Sequence, residues 1–389
     1  NTAKSEVVHF NSLGSNLPVF KIGSDTLAHK DSFKYLGMMF YRILNMAKSA
    51  ENACRAMLTS AYRIRQFACE HTLADRPHAS LWLAKTYVVP AGMYASQIWG
   101  TGFMQTGKEF SSALQTLHLN FLKGSLGVKR ATTNWAVLRE CGHQPLQYYW
   151  FRAAVKLYNS MLGTNSNTLR RVVQADLKLR FKDKKCWTAQ LVQAFQGLRK
   201  SDIYEQAVRT GGAISINDFT ADLRHRLQGV WREAESVDPR GNNNKLATYQ
   251  AWFATPFPCN TRSYVPLPWY LFLDLPKQVV RNVSRFRLRA HTLRVESAVW
   301  QDETLICDRC PCNQAQDEAH VLFNCTDEQV CSLRCQYKML FEPFAEDFSE
   351  TQPFLLHQVD TQIISRFLDQ RNTKLFFFIS KIMDLFLAG

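Results

Sequence analysis

The spacing C-x2-C-x9-H-x4-C in CDRCPCNQAQDEAHVLFNC constrains this chain more than any other feature, because it ties four distant side chains to one small ion. Zinc takes four soft or borderline ligands at tetrahedral angles. A C-x2-C turn offers two thiolates from one tight loop, and H-x4-C can bring the second pair from the start of a helix. The predicted ligands of one structural Zn²⁺ are Cys307, Cys310, His320 and Cys325. Cys312 is an alternative ligand through the tighter C-x-C-x7-H-x4-C spacing. All four positions are protein ligands, so the motif reads as a folding clip rather than a catalytic centre. The plain alternatives are a site that has lost its metal and a set of unrelated buried cysteines. Cys331 and Cys335, four apart, suit one face of a helix and are left unassigned.

Six of the 11 cysteines fall between 307 and 335, and the rest lie singly among helical patterns. That distribution argues for a metal site and small buried hydrophobes in a reducing, intracellular compartment, against a secreted disulfide framework. With 47 Lys+Arg against 33 Asp+Glu, the net charge of +14 implies a polyanionic partner. The excess is localised: residues 152–209 hold twelve basic and four acidic residues, whereas 336–389 hold five and seven. A localised surplus favours a binding face over a solubilising coat. No run approaches the roughly 20 apolar residues of a membrane span. The tail KLFFFISKIMDLFLAG, interrupted by Lys381 and Asp384, reads as an amphipathic helix docked on a neighbouring domain or a partner. The first residue is Asn and no signal peptide is evident, as expected of a fragment, a processed product or a chain whose targeting segment has been removed.

The predicted fold is mainly α, in six segments. Residues 1–42 are β-rich: SEVVHF alternates, FNSLGSN can turn, LPVFKIG can return as a second strand, and FKYLGMMF reads as another short strand. Residues 43–165 are helical, with Ala50, Ala53, Met57, Ala61, Ile64 and Phe67 on one face. A second helix is kinked at Pro90, a third ends at Gly127, a fourth begins after TTN as a plausible cap, and another runs through YYWFRAAVKLYNSML. A basic helical segment spans 166–255 and includes the exposed loop GNNNKLATYQ. Five prolines mark an extended connection over 256–280. An Arg-rich segment and the knuckle occupy 281–335, and helices fill 336–389. Candidate nucleic-acid contacts are Lys129, Arg130, Arg170, Arg171, Lys182, Lys184, Lys185, Arg281, Arg285, Arg287, Arg289 and Arg294. In RNVSRFRLRAHTLRV, alternate arginines on an extended segment line one face with guanidinium groups suited to phosphates. The alternative is a solvated face. Tyr148, Tyr149, Trp150 and Trp187 can stack on bases, but a helical core uses the same residues and is favoured for most of them.

Five segments in order resemble the C-terminal part of non-LTR (LINE-type) retrotransposon reverse transcriptases. NTAKSEVVHF is similar to the Asn-x-x-Lys-Thr/Ser-Glu strand near the end of the palm, and FKYLGMMF to the Leu-Gly hairpin that grips the primer. VVPAGMYASQIWG resembles the thumb helix, with Ala95 in place of the usual glycine. FLKGSLGVKRATTNWAVLRECGHQPLQYYWFRAAVKLYNSML resembles the thumb-to-linker segment, and RFRLRAHTLRVESAVW with the cysteine cluster resembles the C-terminal zinc knuckle. The likeness covers most of 1–165 and 281–330. It implies a palm remnant, a helical thumb and linker, a CCHC knuckle and C-terminal helices. Lys4 would match the family's palm lysine. Such polymerases need paired aspartates to hold two Mg²⁺ ions. This chain has no Asp-Asp pair and no nuclease carboxylate cluster after the knuckle.

Three readings follow. The first is a non-catalytic RNA-binding protein derived from such an element, a structural component of a ribonucleoprotein with an organelle ribosome as one home; it favours RNA over DNA and works beside other proteins. The second is the thumb, linker and knuckle of an active enzyme, with the palm upstream or on another chain, acting in the nucleus or cytoplasm. The third is a helical protein–protein adaptor whose charge is incidental.

Overall fold

The computed structural model describes residues 5–10, 17–42, 46–105, 107–179, 184, 186–236, 249, 251–253, 267–297, 304–347 and 361–387. It is mainly helical, with 64% helix and 6% strand. The chain divides into two compact units. The first comprises Asn1–Ile64, Leu83–His118 and Pro145–Leu227; the second comprises Arg65–Trp82, Leu119–Gln144 and Gln228–Gly389.

The first unit opens with short strands. β1 (Glu6–Val7) pairs in parallel with β4 (Ala28–His29), while β2 (Lys21–Ile22) and β3 (Asp25–Thr26) form their own antiparallel pair. The segment LPVFKIG therefore turns back on its own continuation at Gly23 and does not pair with SEVVHF as predicted. β5 (Ser32–Tyr35) and β6 (Met38–Tyr41) form a hairpin in full register, so FKYLGMMF is two strands rather than one. Its two turn residues, Leu36 (φ 45°) and Gly37 (φ 81°), are both left-handed. That is the turn whose twist matches a two-residue hairpin, and Leu36 adopts it at a steric cost. The Tyr94 hydroxyl donates to the Leu36 carbonyl and holds the turn.

α1 (Ala47–Glu70) buries Ala50, Ala53, Met57, Ala61 and Ala68. The predicted face holds up to Ala61, but Phe67 is 42% exposed and rests on His71, and Ala68 takes the inner position. Seven residues separate Ala61 from Ala68, two helical turns, whereas Phe67 is rotated off that stripe. α2 (Pro77–Leu83) runs through a π-helical segment, Ala84–Val88, into α3 (Val89–Met93). Pro90 cannot donate a main-chain hydrogen bond, and the widened turn lies immediately before it. α4 (Ser96–Trp99) follows after Ala95, which sits at φ 54°, ψ 17°. A residue with a Cβ pays about 1–2 kcal/mol in that region. Ala95→Gly is therefore expected to raise stability by about 1 kcal/mol, read as a higher urea midpoint with unchanged slope; an unchanged or lower midpoint would refute the strain.

α5 (Ala113–Leu126) ends as predicted at Gly127, φ 66°, with the Val128 amide reaching back to the Lys123 carbonyl. α6 is Asn134–Glu140 and α7 is Leu146–Leu162. After them in the chain come α8 (Asn167–Leu179), α9 (Trp187–Phe195), α10 (Ser201–Thr210) and α11 (Ile216–Ser236). Trp99 meets Trp150 edge-on at 5.2 Å, and Phe151, Phe195, Tyr204 and Phe219 close an aromatic core among α7, α9, α10 and α11. Each such ring contributes about 1.5–3 kcal/mol by leaving water.

In the second unit, α12 (Lys277–Arg287) packs along α16 (Thr373–Leu387). Asn282 lies within the interface, where its amide donates to the Ser380 carbonyl and hydroxyl and to Asp384, and Gln278 also donates to Asp384. The amphipathic tail is thus covered by its own chain, burying Leu375, Phe378, Ile379, Ile382 and Met383. α13 is Arg294–Ser297, α14 is Glu328–Gln336 and α15 is Thr361–Leu368. Phe323, Phe341, Phe367 and Phe378 form the core around which these helices gather. Beside it, the fully buried Glu140 accepts from the Tyr249 and Tyr270 hydroxyls at 2.6 and 2.8 Å and from Arg287 at 2.6 and 3.2 Å. Among the described residues, no helix is long and apolar enough to cross a membrane.

Candidate metal centre and nucleic-acid interface

A short antiparallel bridge, Ile306 to Ala315, closes the loop that carries the first cysteines. The Cys307 amide donates to the Gln314 carbonyl at 2.8 Å, and the Gln316 amide donates to the Leu305 carbonyl at 2.8 Å. Cys307 and Cys310 thereby face inward from one turn. The second pair arrives differently from the prediction. His320–Asn324 is a π turn, closed by the Cys325 amide donating to the His320 carbonyl at 2.8 Å. In an α-helix, residues five apart diverge by about 140°. A π turn closes i to i+5 and returns them to one side. Asp317 caps the start by accepting from the His320 amide at 2.8 Å.

The ligand atoms of Cys307, Cys310, His320 and Cys325 all lie within 4.8 Å of one another, and all four residues are buried. Tetrahedral zinc requires sulfurs about 3.8 Å apart at a Zn–S length of about 2.3 Å. Cys310 Sγ lies 3.3 Å from His320 Nε2. The cluster is positioned to hold a metal ion. Cys312 stands outside it, with its sulfur 3.1 Å from the Thr326 hydroxyl and 3.7 Å from the Asn324 carbonyl. His320 Nδ1 lies 3.1 Å from Gln314 Oε1, an outer contact of the kind that fixes a ligand ring.

Burial, and then the charge of Arg334, holds the His320 imidazole down to about 4, so it is neutral and ready to ligate near neutral pH. Burial, with the neighbouring thiols, pushes Cys325 well up. A metal must displace that proton, so affinity falls on acidification. Arg334, 1% exposed, is the residue that sequence reading missed. Its guanidinium donates to the Leu322 and Cys325 carbonyls, both at 2.8 Å, and to Val321 at 3.4 Å. These are the carbonyls left over where the π turn ends. Three thiolates around a divalent ion leave one net negative charge, which Arg334 faces from close by. Arg334→Met is expected to cost about 2–3 kcal/mol through those stranded carbonyls and to weaken metal retention. A metal content and urea midpoint equal to those of the wild type would contradict this.

The Arg-rich segment is not extended. It is the helix α12 followed by a turn, and this separates its arginines. Arg287 pairs with Glu140, and Arg289, 4% exposed, pairs with Glu296 and Glu318, the latter also 2.9 Å from His291. Arg294 pairs with Asp308 at 2.8 Å. Arg281 and Arg285, one turn apart, point together toward the Gly127 carbonyl at 3.5 and 3.1 Å. Two and three residues beyond Gly127, Lys129 and Arg130 are exposed. Arg281 and Arg285 thus meet the C-terminal end of α5, where helix carbonyls favour positive charge. In the first unit, Arg170, Arg171 and Lys184 are exposed. Lys4, Lys182 and Lys185, with most of GNNNKLATYQ and part of the Pro-rich connection, lie outside the described residues.

Tyr148 and Trp150 are buried in the core, as favoured, and Tyr149 and Trp187 are half-buried. Exposed apolar side chains sit elsewhere: Leu58 and Tyr62 on α1, Tyr87 on the adjoining π segment and Tyr94 are 58%, 71%, 52% and 53% exposed. Ser60 donates to the Tyr87 carbonyl, so α1 and the π segment are neighbours. Exposed Arg55, Arg63 and Lys85 lie among them. The sequence signal was available, since Leu58 and Tyr62 fall four apart, about 100° round the helix from the Ala-Met stripe.

Comparison with family models, curated proteins and solved structures gives no match.

Proposed function

We propose that the protein is a non-catalytic nucleic-acid-binding protein, with RNA favoured over DNA, whose knuckle holds one structural zinc ion. The carrying observation is that Arg281 and Arg285 reach the Gly127 carbonyl, two and three residues before the exposed Lys129 and Arg130, in the unit that also contains the cysteine–histidine cluster. Among the described residues none of the four faces a carboxylate in an ion pair. The exposed aromatic and basic strip on α1 adds stacking faces. The ordered resemblance to the thumb, linker and knuckle of non-LTR reverse transcriptases supports descent from such an element, and on that reading the chain serves as a structural component of a ribonucleoprotein. The Leu36–Gly37 hairpin agrees with that resemblance in form.

The test is RNA binding by filter retention or anisotropy across salt concentrations. A single-stranded RNA is expected to bind with a log–log salt slope of several units. Replacing Lys129 and Arg281 with glutamine is expected to flatten the slope by about 0.7 for each lost contact. Binding that ignores salt would return the chain to the adaptor reading.

A further inference from the structure

We infer that a cavity in the second unit, about 350 Å³ and distinct from both the knuckle and the patch at the end of α5, takes the base and phosphate of one unpaired nucleotide. The inference rests on the nucleic-acid reading above and adds a subsite to it.

Its walls are aromatic. Trp252 and Trp269 line it half-buried, Phe376 closes the floor and Phe272 stands 55% exposed at the mouth. Trp269 and Phe376 already lean on each other at 5.4 Å between ring centroids. Rings that had only to fill a core would not be left lining an accessible hollow of this size, which falls within the range of small-ligand pockets. Flat apolar faces of this kind hold a base by stacking.

The polar groups are few and placed at the rim and floor. Arg371 is exposed at the edge, one residue after Gln370, whose amide nitrogen is held by the Leu340 carbonyl at 3.0 Å. That contact fixes the Gln370 side chain and leaves its oxygen as an acceptor for a base edge. Arg287 also reaches the cavity, but Glu140 neutralises it and it is stacked against Phe253 at 4.3 Å. Arg139 adds a second cation to the lining, and Asp369 is the carboxylate among the described lining residues. The exposed cation at the rim is Arg371. A planar aromatic group carrying one anionic substituent fits the cavity, and the phosphate falls to Arg371. A neutral peptide would leave that cation without a counterpart, and a duplex has no splayed base to offer.

The experiment uses the full chain with two variants at exposed positions, Phe272→Ala and Arg371→Glu, which do not disturb the core. Each binds a ten-nucleotide single-stranded RNA and a hairpin-free duplex of the same composition, with affinity read by anisotropy and contact by tryptophan quenching. Losing one stacking face is expected to weaken the single strand about 5- to 100-fold, as 1–3 kcal/mol per base converts at tenfold per 1.4 kcal/mol. The duplex should be nearly unaffected by Phe272→Ala. Wild-type affinity for the single strand in both variants, or equal weakening of strand and duplex in Phe272→Ala, would overturn the subsite while leaving the broader reading in place. Failure of the wild-type chain to bind either RNA would remove both.

Discussion

Stripping the metal is expected to give the largest loss of structure in this protein. Structural zinc in small modules is bound with free energy on the order of 10 kcal/mol, which serves as folding free energy where no apolar core replaces it. The loop from Leu305 to Gln316 contributes little core of its own and is closed by one isolated bridge. A strong chelator should therefore remove one zinc per chain and abolish amide protection from 304 to 326. Cys325→Ala should do the same without chelator. The loss should extend into α14, because Arg334 binds the Cys325 and Leu322 carbonyls. Zinc well below one equivalent in protein purified without chelator, or exchange protection that survives chelation, would refute the assignment.

The second large effect is expected at Arg287. Its partner Glu140 is 0% exposed, and Arg287 itself is 13% exposed. Burial alone would lower the Arg287 pKa, and the Glu140 carboxylate reverses that and holds it above the ordinary value. Removing one partner from a buried pair strands the other charge, at a cost of about 3–5 kcal/mol. Arg287→Met should lose that amount in the cooperative unfolding of the second unit. Glu140→Leu combined with Arg287→Met should be less damaging than Arg287→Met alone, because no charge is then stranded. It should still fall short of the wild type, since the Tyr249 hydroxyl loses its acceptor. A cost under about 1 kcal/mol for Arg287→Met would mean that water reaches the carboxylate.

These residues show what was legible in the sequence and what was not. The cysteine–histidine cluster was legible because its four residues lie within one short stretch and their spacing is set by local turns. The helix end at Gly127 was legible for the same reason. Arg287 and Arg289 were misread because their fate depends on Glu140, Glu318 and Glu296, one of them 147 residues away, and no local pattern announces a buried carboxylate. Phe67 was placed inward because apolar character was counted without the helix's actual phase. Arg334 could not be found at all from sequence. An arginine inside a helix reads as a solvated residue until the carbonyls it serves are known.

The π turn at His320–Asn324 also changes how such motifs should be compared. Within an α turn, His and Cys four apart share a face; within a π turn, five apart do. The number of residues between the last two ligands therefore reports the winding of the backbone rather than the identity of the ion. Two knuckles that differ there by one residue can present the same coordination sphere. A one-residue insertion in this stretch can then be absorbed as a change of winding, so a fixed-spacing search separates sites that are chemically alike.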